Sequence, residues 1–175
     1  MDKNREIVLL GDLKGTKHFL ENCFREDLEF RLFTVHEALF ACVRKYGNMS
    51  SSLEAFTFSD SILVRWKDYI EGTKKCVPFS EDLWSRISQL PYRIFIDAGD
   101  VLNDNVPISQ QIIRSKRFIN VIPVSYAFWS VCVAEAEHFP EGIFIGKELW
   151  KITTKTLSDE VFEAKQFLYK KILFE

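Results

Sequence analysis

The sequence feature that most constrains the fold is a pair of short apolar segments, residues 55–58 and 62–66, separated by a polar turn around Asp60. Apolar segments joined by so short a turn are typical of a β-hairpin, in which the two strands pair antiparallel. Before the hairpin, at about 30–45, apolar residues recur at helical spacing and the pattern ends at Gly47. The chain therefore combines an antiparallel strand pair with helical connections to other strands.

Further segments extend this pattern on both sides of the hairpin. The other predicted elements are strands at 5–12, 92–99 and 142–145, and helices around 19–24, 80–90 and 124–138. Ser80 is expected to cap the helix that it begins, and the tail at 158–174 is consistent with either a helix or a strand. The order βααββαβ, followed by αβ, predicts an α+β fold with a ferredoxin-like core, a mostly antiparallel sheet and helices on one face.

Length, composition and charge limit the possible functions. The chain has 175 residues, 47% of them hydrophobic, which suits one globular domain spanning 1–175. With 23 basic and 25 acidic side chains, its net charge of −2 does not favour nucleic acid as a partner. No apolar run approaches the roughly 20 residues of a membrane span. The sequence starts without a signal-peptide pattern and its four cysteines are scattered, so we expect a cytoplasmic protein with free thiols.

Two acidic residues fall where strands end. Asp12 ends the first predicted strand, residues 5–12, and Asp60 occupies the hairpin turn. If the first strand neighbours the hairpin, both carboxylates project from the same edge of the sheet, an arrangement that attracts a divalent metal ion. Gly15, Thr16 and Lys17 follow at a predicted helix N-terminus, where free backbone N–H groups bind phosphate oxygens. The alternative is structural, because an Asp at a strand end or in a turn also serves as a helix cap or a turn residue.

Three motifs resemble those of class III nucleotidyl cyclase catalytic domains. Segment 12–16 (Asp-Leu-Lys-Gly-Thr) is similar to the Asp-Ile-x-Gly-Phe/Ser/Thr start of these domains, and segment 59–62 (Ser-Asp-Ser-Ile) to their Gly-Asp-Ser hairpin. Segment 93–99 (Arg-Ile-Phe-Ile-Asp-Ala-Gly) resembles their Arg-Ile-Gly-Ile-His-x-Gly strand. The motifs occur in the order of the family, and the resemblance covers roughly residues 5–150.

The resemblance implies an activity and a set of site residues. Members of this family are lyases that convert a nucleoside triphosphate to a 3′,5′-cyclic nucleotide and pyrophosphate, and they act as homodimers with each site at the interface. By this resemblance, Asp12 and Asp60 hold two Mg²⁺ or Mn²⁺ ions with help from the Leu13 carbonyl, and residues 15–17 cradle the phosphates.

The sequence departs from the family pattern at two places. The position that selects the purine, four residues before the second Asp, is Lys or Glu in the family and Phe56 here. An aromatic residue there resembles small stand-alone prokaryotic cyclases of antiviral defence that use pyrimidine nucleotides. A pyrimidine substrate is therefore expected, with Tyr126 as a second candidate for the base pocket. The late helix has neither the Asn nor the Arg of the family within 125–135. The candidates for a transition-state cation elsewhere are Arg114, Lys116 and Arg117.

Three functions stay open from the sequence. The paired metal-binding carboxylates favour an active cyclase. The missing Asn and Arg favour a catalytically degenerate cyclase-homology module that binds a nucleotide or a protein partner without turnover. The third function is that of an interaction domain with the same ferredoxin-like fold and no bound nucleotide.

Overall fold

A seven-stranded sheet forms the centre of the protein. The computed structural model describes residues 5–14, 25–47, 52–58, 60–101 and 125–174. The strands are β1 (Arg5–Leu13), β2 (Leu53–Phe58), β3 (Ser61–Trp66), β4 (Tyr92–Asp100), β5 (Gly142–Gly146), β6 (Phe162–Ala164) and β7 (Phe167–Lys171). Within these ranges the α-helices are α1 (Arg25–Tyr46), α2 (Tyr69–Ile87) and α3 (Tyr126–Glu135), and a 3₁₀ turn spans Lys147–Leu149. The helix predicted around 19–24 lies outside the described residues.

The strand order is β2-β3-β1-β4-β5-β7-β6, and all neighbours are antiparallel except β4 and β5. The predicted hairpin is confirmed, since β2 pairs with β3 so that Phe56 lies opposite Leu63. β1 lies between β3 and β4, with Asp12 opposite Arg93. α3 lies in the connection from β4 to β5, because a parallel pair needs a crossover. The α+β class and the mostly antiparallel sheet are thus confirmed.

The helices cover both faces of the sheet, which corrects the prediction that they lie on one. α1 and α2 pack against the face that carries Ile7 and Leu9, while α3 packs against the face that carries Val8 and Leu10. All four of these β1 residues are buried. A central strand with an apolar side chain at each successive position cannot leave either face in water, so each face needs its own cover.

Helix α2 begins at Tyr69, well before the predicted start. Asp68 caps the helix, because its side chain accepts a hydrogen bond from the backbone N–H of Glu71. Ser80, the predicted cap, is buried inside the helix and donates its hydroxyl to the carbonyl of Val77. The prediction of Ser80 as an N-cap was therefore wrong.

The C-terminal tail, for which helix and strand were both open, folds as the hairpin of β6 and β7. Its turn contains Lys165, whose φ of 54° lies in the left-handed region. β7 extends the sheet by pairing with β5, and Tyr169 on β7 is fully buried against α3 and β4. Across the described residues, no helix combines the length and the apolar character needed to cross a membrane.

Candidate active site

Asp12 is held in place at the end of β1 by two neighbouring strands. The hydroxyl of Ser61 on β3 donates to Oδ1 of Asp12 at 2.9 Å, and Nη2 of Arg93 on β4 donates to Oδ2 at 3.0 Å. The Asp12 side chain is 13% exposed. Both carboxylate oxygens accept a hydrogen bond, so the orientation of the group is set before any ligand arrives.

Asp60 lies at the same end of the sheet, in the turn between β2 and β3 and next to Ser61. Its backbone carbonyl accepts a hydrogen bond from the hydroxyl of Tyr92 at 2.9 Å. Burial, followed by the negative charges of Asp12 and Asp60, raises the pKa of Tyr92 well above its usual value. The charges of the two carboxylates thus both affect the pKa of the same buried tyrosine. The register of β1 and β4 places Leu13, the third predicted metal ligand, opposite Tyr92.

Arg93 supplies a guanidinium to this corner of the sheet, where Asp12 and Asp60 lie. The interpretation of the sequence assigned Arg93 no role. Its side chain is 9% exposed. Besides its bond to Asp12, Arg93 donates through Nη1 to the backbone carbonyl of Glu137 at 2.9 Å, and Nη2 lies 3.7 Å from Oε1 of Glu135. Its Nε is buried and has no hydrogen-bond partner. The signal in the sequence was the Arg that opens segment 93–99, but only the pairing of β1 with β4 brings it to Asp12.

Glu135, the last residue of α3, adds a third carboxylate to the corner. Burial raises its pKa, and so do the negative charge of Asp12, a hydrogen bond with Asp12 and the charge of Asp60, while Arg93 acts in the opposite direction. Asp12 and Glu135 therefore share one guanidinium. The sequence contained no local signal for this contact, because Glu135 and Asp12 lie on elements far apart in the chain.

The corner suits a hard divalent cation. All its candidate ligands are oxygen atoms, which Mg²⁺ and Mn²⁺ prefer. Burial is the largest cause of the raised pKa of Glu135, and the charges of Asp12 and Asp60 add to it although Arg93 opposes them, so a bound cation would favour the ionised carboxylate. Over the part of the chain that the structure describes, no group of three or more His, Cys, Asp or Glu side chains is arranged to hold one metal ion. Asp12 and Asp60 would then leave coordination positions to backbone, water and substrate oxygens, as is usual for Mg²⁺.

The structure does not bring together the two residues predicted to bind the base. Phe56 on β2 is 38% exposed, and Tyr126, the first residue of α3, is 47% exposed. Tyr126 packs over Gly99 at the far end of β4, whereas Phe56 lies three strands away, about 14 Å across the sheet. The predicted phosphate-binding residues 15–17, and the candidate cations at 114–117, lie outside the described residues.

No protein-family profile and no curated protein sequence matches the chain. Solved structures of nucleotidyl cyclase domains do match it along nearly their whole length. The guanylyl cyclase Cya2 superposes with a TM-score of 0.72 at 13% sequence identity, covering 96% of this chain and 91% of that one. The chain has the fold of a nucleotidyl cyclase catalytic domain.

Two further cyclase structures are similar over comparable lengths. The non-canonical dimeric guanylyl cyclase domain of the RhoGC fusion protein from Blastocladiella emersonii has a TM-score of 0.63 at 12% identity, with 97% of this chain and 96% of that chain covered. The guanylate cyclase domain of RhGC from Catenaria anguillulae, in complex with GTP, has a TM-score of 0.59 at 12% identity and 97% coverage of both chains. At such identity the likeness concerns the cyclase fold, and the chemistry rests on the residues of the corner.

Proposed function

We propose that the protein is a metal-dependent nucleotidyl cyclase that converts a nucleoside triphosphate, a pyrimidine in preference to a purine, to a 3′,5′-cyclic nucleotide and pyrophosphate. The observation that carries the proposal is the meeting of Asp12, Asp60 and Arg93 at one corner of a cyclase-type sheet. In this reaction the 3′-oxygen of the ribose forms a bond to the α-phosphorus and the bond from that phosphorus to the β-phosphate oxygen breaks. The hydroxyl proton passes to solvent and pyrophosphate leaves.

The carboxylates of the corner have the role of metal ligands in this proposal. Asp12 and Asp60 would hold two Mg²⁺ or Mn²⁺ ions together with the Leu13 carbonyl, and residues 15–17 would bind the phosphates. Such ions, when bound, lower the pKa of the attacking hydroxyl and offset the charge of the triphosphate. Ser61 keeps one oxygen of Asp12 oriented through its 2.9 Å hydrogen bond, so the carboxylate loses little freedom when a cation binds.

Arg93 is the candidate for the cation that the late helix does not supply. In the structure its Nη2 donates to Asp12. If Asp12 held a metal ion, its pair with Arg93 would weaken and Nη2 would become available to a phosphate oxygen, with which a guanidinium forms a strong, charge-assisted bond. Glu135 and the Glu137 carbonyl hold the same guanidinium from the other side, so it stays at the corner.

The proposed base specificity and the proposed homodimer are connected through the residues of the base pocket. Phe56 offers a partly exposed ring for stacking and no hydrogen bond to a purine edge, which supports a pyrimidine substrate. The separation of Phe56 from Tyr126 along one sheet means that a pocket using both needs a second chain. A homodimer whose sites combine residues of two protomers meets this requirement. A role in antiviral signalling is included on the sequence resemblance alone.

The decisive experiment is incubation of the full chain with each of the four ribonucleoside triphosphates and Mn²⁺, with products resolved by mass spectrometry. Asp12→Asn is the best test variant, because the amide oxygen can still accept from Arg93 while the NH₂ group donates to the hydroxyl oxygen of Ser61. Asp159→Asn is the matched control at an exposed carboxylate. A cyclic product that Asp12→Asn loses and Asp159→Asn keeps is expected. The absence of a cyclic product from all four triphosphates would refute the cyclase proposal.

The same preparation tests the alternative, a catalytically degenerate module that binds a nucleotide or a protein partner without turnover. Two observations support it. Arg93 already pairs with Asp12, and the late helix lacks the Asn and the Arg of the cyclase family. Calorimetric titration with a triphosphate that carries a methylene bridge between the α- and β-phosphorus measures binding without cleavage. Binding that needs Mn²⁺, with no product from the natural triphosphates, would favour this alternative.

Mixing two variants of low activity tests the composite site of the homodimer. If Asp12 of one protomer works with Phe56 of the other, a mixed dimer of Asp12→Asn and Phe56→Lys contains one intact site. Random reassortment of equal amounts should then recover about a quarter of the wild-type activity. No recovery, although mixed dimers are present by mass, would show that both residues act in the same chain.

A further inference from the structure

A polar cavity of about 500 Å³ lies at the opposite end of the sheet from the acidic corner. It is bounded by the end of β4, the start of β1, the N-terminus of α3, the 3₁₀ turn and the turn of the β6–β7 hairpin. Asp97 lines this cavity, and Arg93 lies four residues earlier on the same face of β4, about 13 Å away. The cavity is therefore separate from the candidate active site, and its volume lies in the range of small-molecule sites.

Asp97 is the buried charged group of the cavity lining. It is 5% exposed, and it is positioned by the backbone N–H of Ala98, which donates to Oδ1 at 2.9 Å, and by the hydroxyl of Ser130, which donates to Oδ2 at 2.6 Å. Ser130 also lies 2.5 Å from the hydroxyl of Tyr169. Since the single Ser130 proton goes to the carboxylate, Tyr169 donates to Ser130. A chain of three side chains thus fixes Asp97 from behind.

The backbone opposite Asp97 is kept free of side chains. A Cβ atom on Gly146 would lie 2.1 Å from Cγ of Asp97, so only glycine leaves room for the carboxylate at this point. Gly99, which also lines the cavity, lies directly under the first turn of α3. A carboxylate has four lone-pair positions and the two hydrogen bonds named above use two of them, so acceptor capacity remains.

Among the lining residues that the structure describes, no cation forms an ion pair with Asp97. Arg5, the nearby cation of the lining, is engaged by Glu148, with Nη2 to Oε2 at 2.8 Å, and by Asp100 at 3.6 Å. Lys147 is exposed at the rim, where water screens its charge. Burial raises the pKa of Asp97 to about 6 and the charge of Glu148 adds to this effect, while the hydrogen bonds from Ser130 and Ala98 and the charge of Arg5 act in the opposite direction.

Aromatic side chains form the outer wall of the cavity. Tyr126 is 47% exposed, and Phe167 on the β6–β7 hairpin is partly buried. Trp129 joins these two, with ring centroids 5.9 Å from Tyr126 and 5.2 Å from Phe167. A buried carboxylate beside aromatic rings, of which that of Tyr126 is exposed, is the combination that recognises organic cations, by hydrogen bonds at one end and by cation–π and stacking contacts at the other.

We propose that this cavity is a binding site for a small organic cation, of the amidinium or aryl-ammonium class, whose N–H groups donate to Asp97 while its apolar part contacts Tyr126 and Phe167. An amidinium matches the carboxylate with parallel N–H groups, as a guanidinium does. The proposal is independent of the cyclase reaction. It assigns a function to an acidic group at the place where the resembling strand motif has His.

The test uses benzamidine as the probe and the full chain, with binding followed by calorimetry and by the NMR shifts of the Ala98 and Gly99 amides. Wild-type protein should bind one equivalent. Asp97→Asn keeps the size of the side chain and a partner for both Ala98 and Ser130. Because it removes the negative charge that pairs with the probe, the affinity for benzamidine should fall at least about tenfold. Asp100→Asn, a matched change at the exposed rim, should alter the affinity by less than about threefold. Tyr126→Ala, at an exposed position, should weaken binding without affecting the fold.

Three outcomes would overturn the proposal. The first is equal benzamidine affinity of wild-type protein and Asp97→Asn. The second is no binding to folded wild-type protein at millimolar concentration. The third is loss of binding in Asp12→Asn with retention in Asp97→Asn, which would assign the probe to the acidic corner. If Asp97→Asn does not fold, loss of affinity in Tyr126→Ala with unchanged thermal stability supports the proposal, and unchanged affinity contradicts it.

Discussion

Asp97 gives the sharpest quantitative prediction, which concerns the pH dependence of stability. Burial raises its pKa to about 6 in the folded protein, against about 3.9 in an unfolded chain. A carboxyl group with a raised pKa stabilises the fold while it is protonated. Its stabilising contribution is complete below the unfolded pKa and is lost as the pH rises through the folded pKa.

The magnitude follows from the two pKa values. A difference of about two corresponds to about 3 kcal/mol between full protonation and full ionisation, of which about 2 kcal/mol falls between pH 4.5 and pH 7.5. Asp97→Asn removes the ionisation and preserves the network, because the amide oxygen accepts from Ala98 and the NH₂ group donates to Ser130. The variant should therefore become more stable relative to the wild type as the pH rises.

Urea unfolding of both proteins at several pH values between 4.5 and 7.5 measures this difference. Contributions of the other titrating groups are common to the two chains and cancel in the comparison. The difference in unfolding free energy should grow by about 2 kcal/mol over this range in favour of Asp97→Asn. A difference that stays constant with pH would refute the assignment of a raised pKa to Asp97, and so would a difference of the opposite sign.

Three other predictions concern the sheet. Arg65 is buried and donates to the fully buried Glu6, so Arg65→Gln should lower the free energy of unfolding in urea by about 3–5 kcal/mol. Adding Glu6→Gln should recover part of this loss, and losses that simply add would contradict the ion pair. A Cβ on Gly11 would lie 2.7 Å from the Tyr92 ring, so Gly11→Ala should destabilise by about 1–3 kcal/mol, and unchanged stability would show that the ring moves freely. Phe56→Lys, at a partly exposed edge position, should lower turnover of the native triphosphate at unchanged melting temperature; unchanged nucleotide preference would exclude Phe56 from the base pocket.

The sequence predicted the placement of Asp12 and Asp60 because the relevant signals are local. An apolar run that ends in an acidic residue and a three-residue polar turn each define a strand end without knowledge of the rest of the chain. The pairing of β1 with β3 then places the two ends side by side. Arg93 and Glu135 were not assigned to the corner, because their positions depend on the pairing of β1 with β4 and on where α3 ends.

The start of α2 shows how tertiary packing overrides local signals. Gly72 and Pro78 disfavour a helix when they are considered alone, and Ser80 is of a residue type that often caps a helix N-terminus. In the fold, a Cβ on Gly72 would lie 2.8 Å from Cβ of Trp66, so the glycine lets the helix approach β3 closely. The sequence pattern contains no information about that approach.

The orientation of α3 could not be predicted from the sequence, for a different reason. Its segment is apolar around the whole helix, so periodicity does not select a face. Ala127 and Val131 pack on the sheet, while Phe128 and Val133 pack at the edge of the same cluster, and the β6–β7 hairpin supplies the additional cover. A helix enclosed by two parts of the fold has no polar face from which its orientation can be inferred.

The two acidic residues at the ends of β1 differ in their counter-charges. On the face toward α3, β1 carries Glu6 and Asp12 at its two ends, with Val8 and Leu10 between them. Glu6 pairs with the guanidinium of Arg65. Arg65 also pairs with the partly exposed Glu54, which in turn pairs with Lys67. The charge of Glu6 is therefore offset within the fold, and a further cation would have little to neutralise.

At the other end of the strand, Asp12 and Glu135 share the single guanidinium of Arg93. Burial is the largest cause of the raised pKa of Glu135, and the charges of Asp12 and Asp60 add to it while Arg93 acts in the opposite direction. Protonation of Glu135 removes negative charge from this end of the strand at acid pH, and a divalent cation would offset that charge at neutral pH. Of the two ends of β1, the Asp12 end is thus the one that a metal ion would stabilise, and it is also the end that the cyclase-like motifs identify.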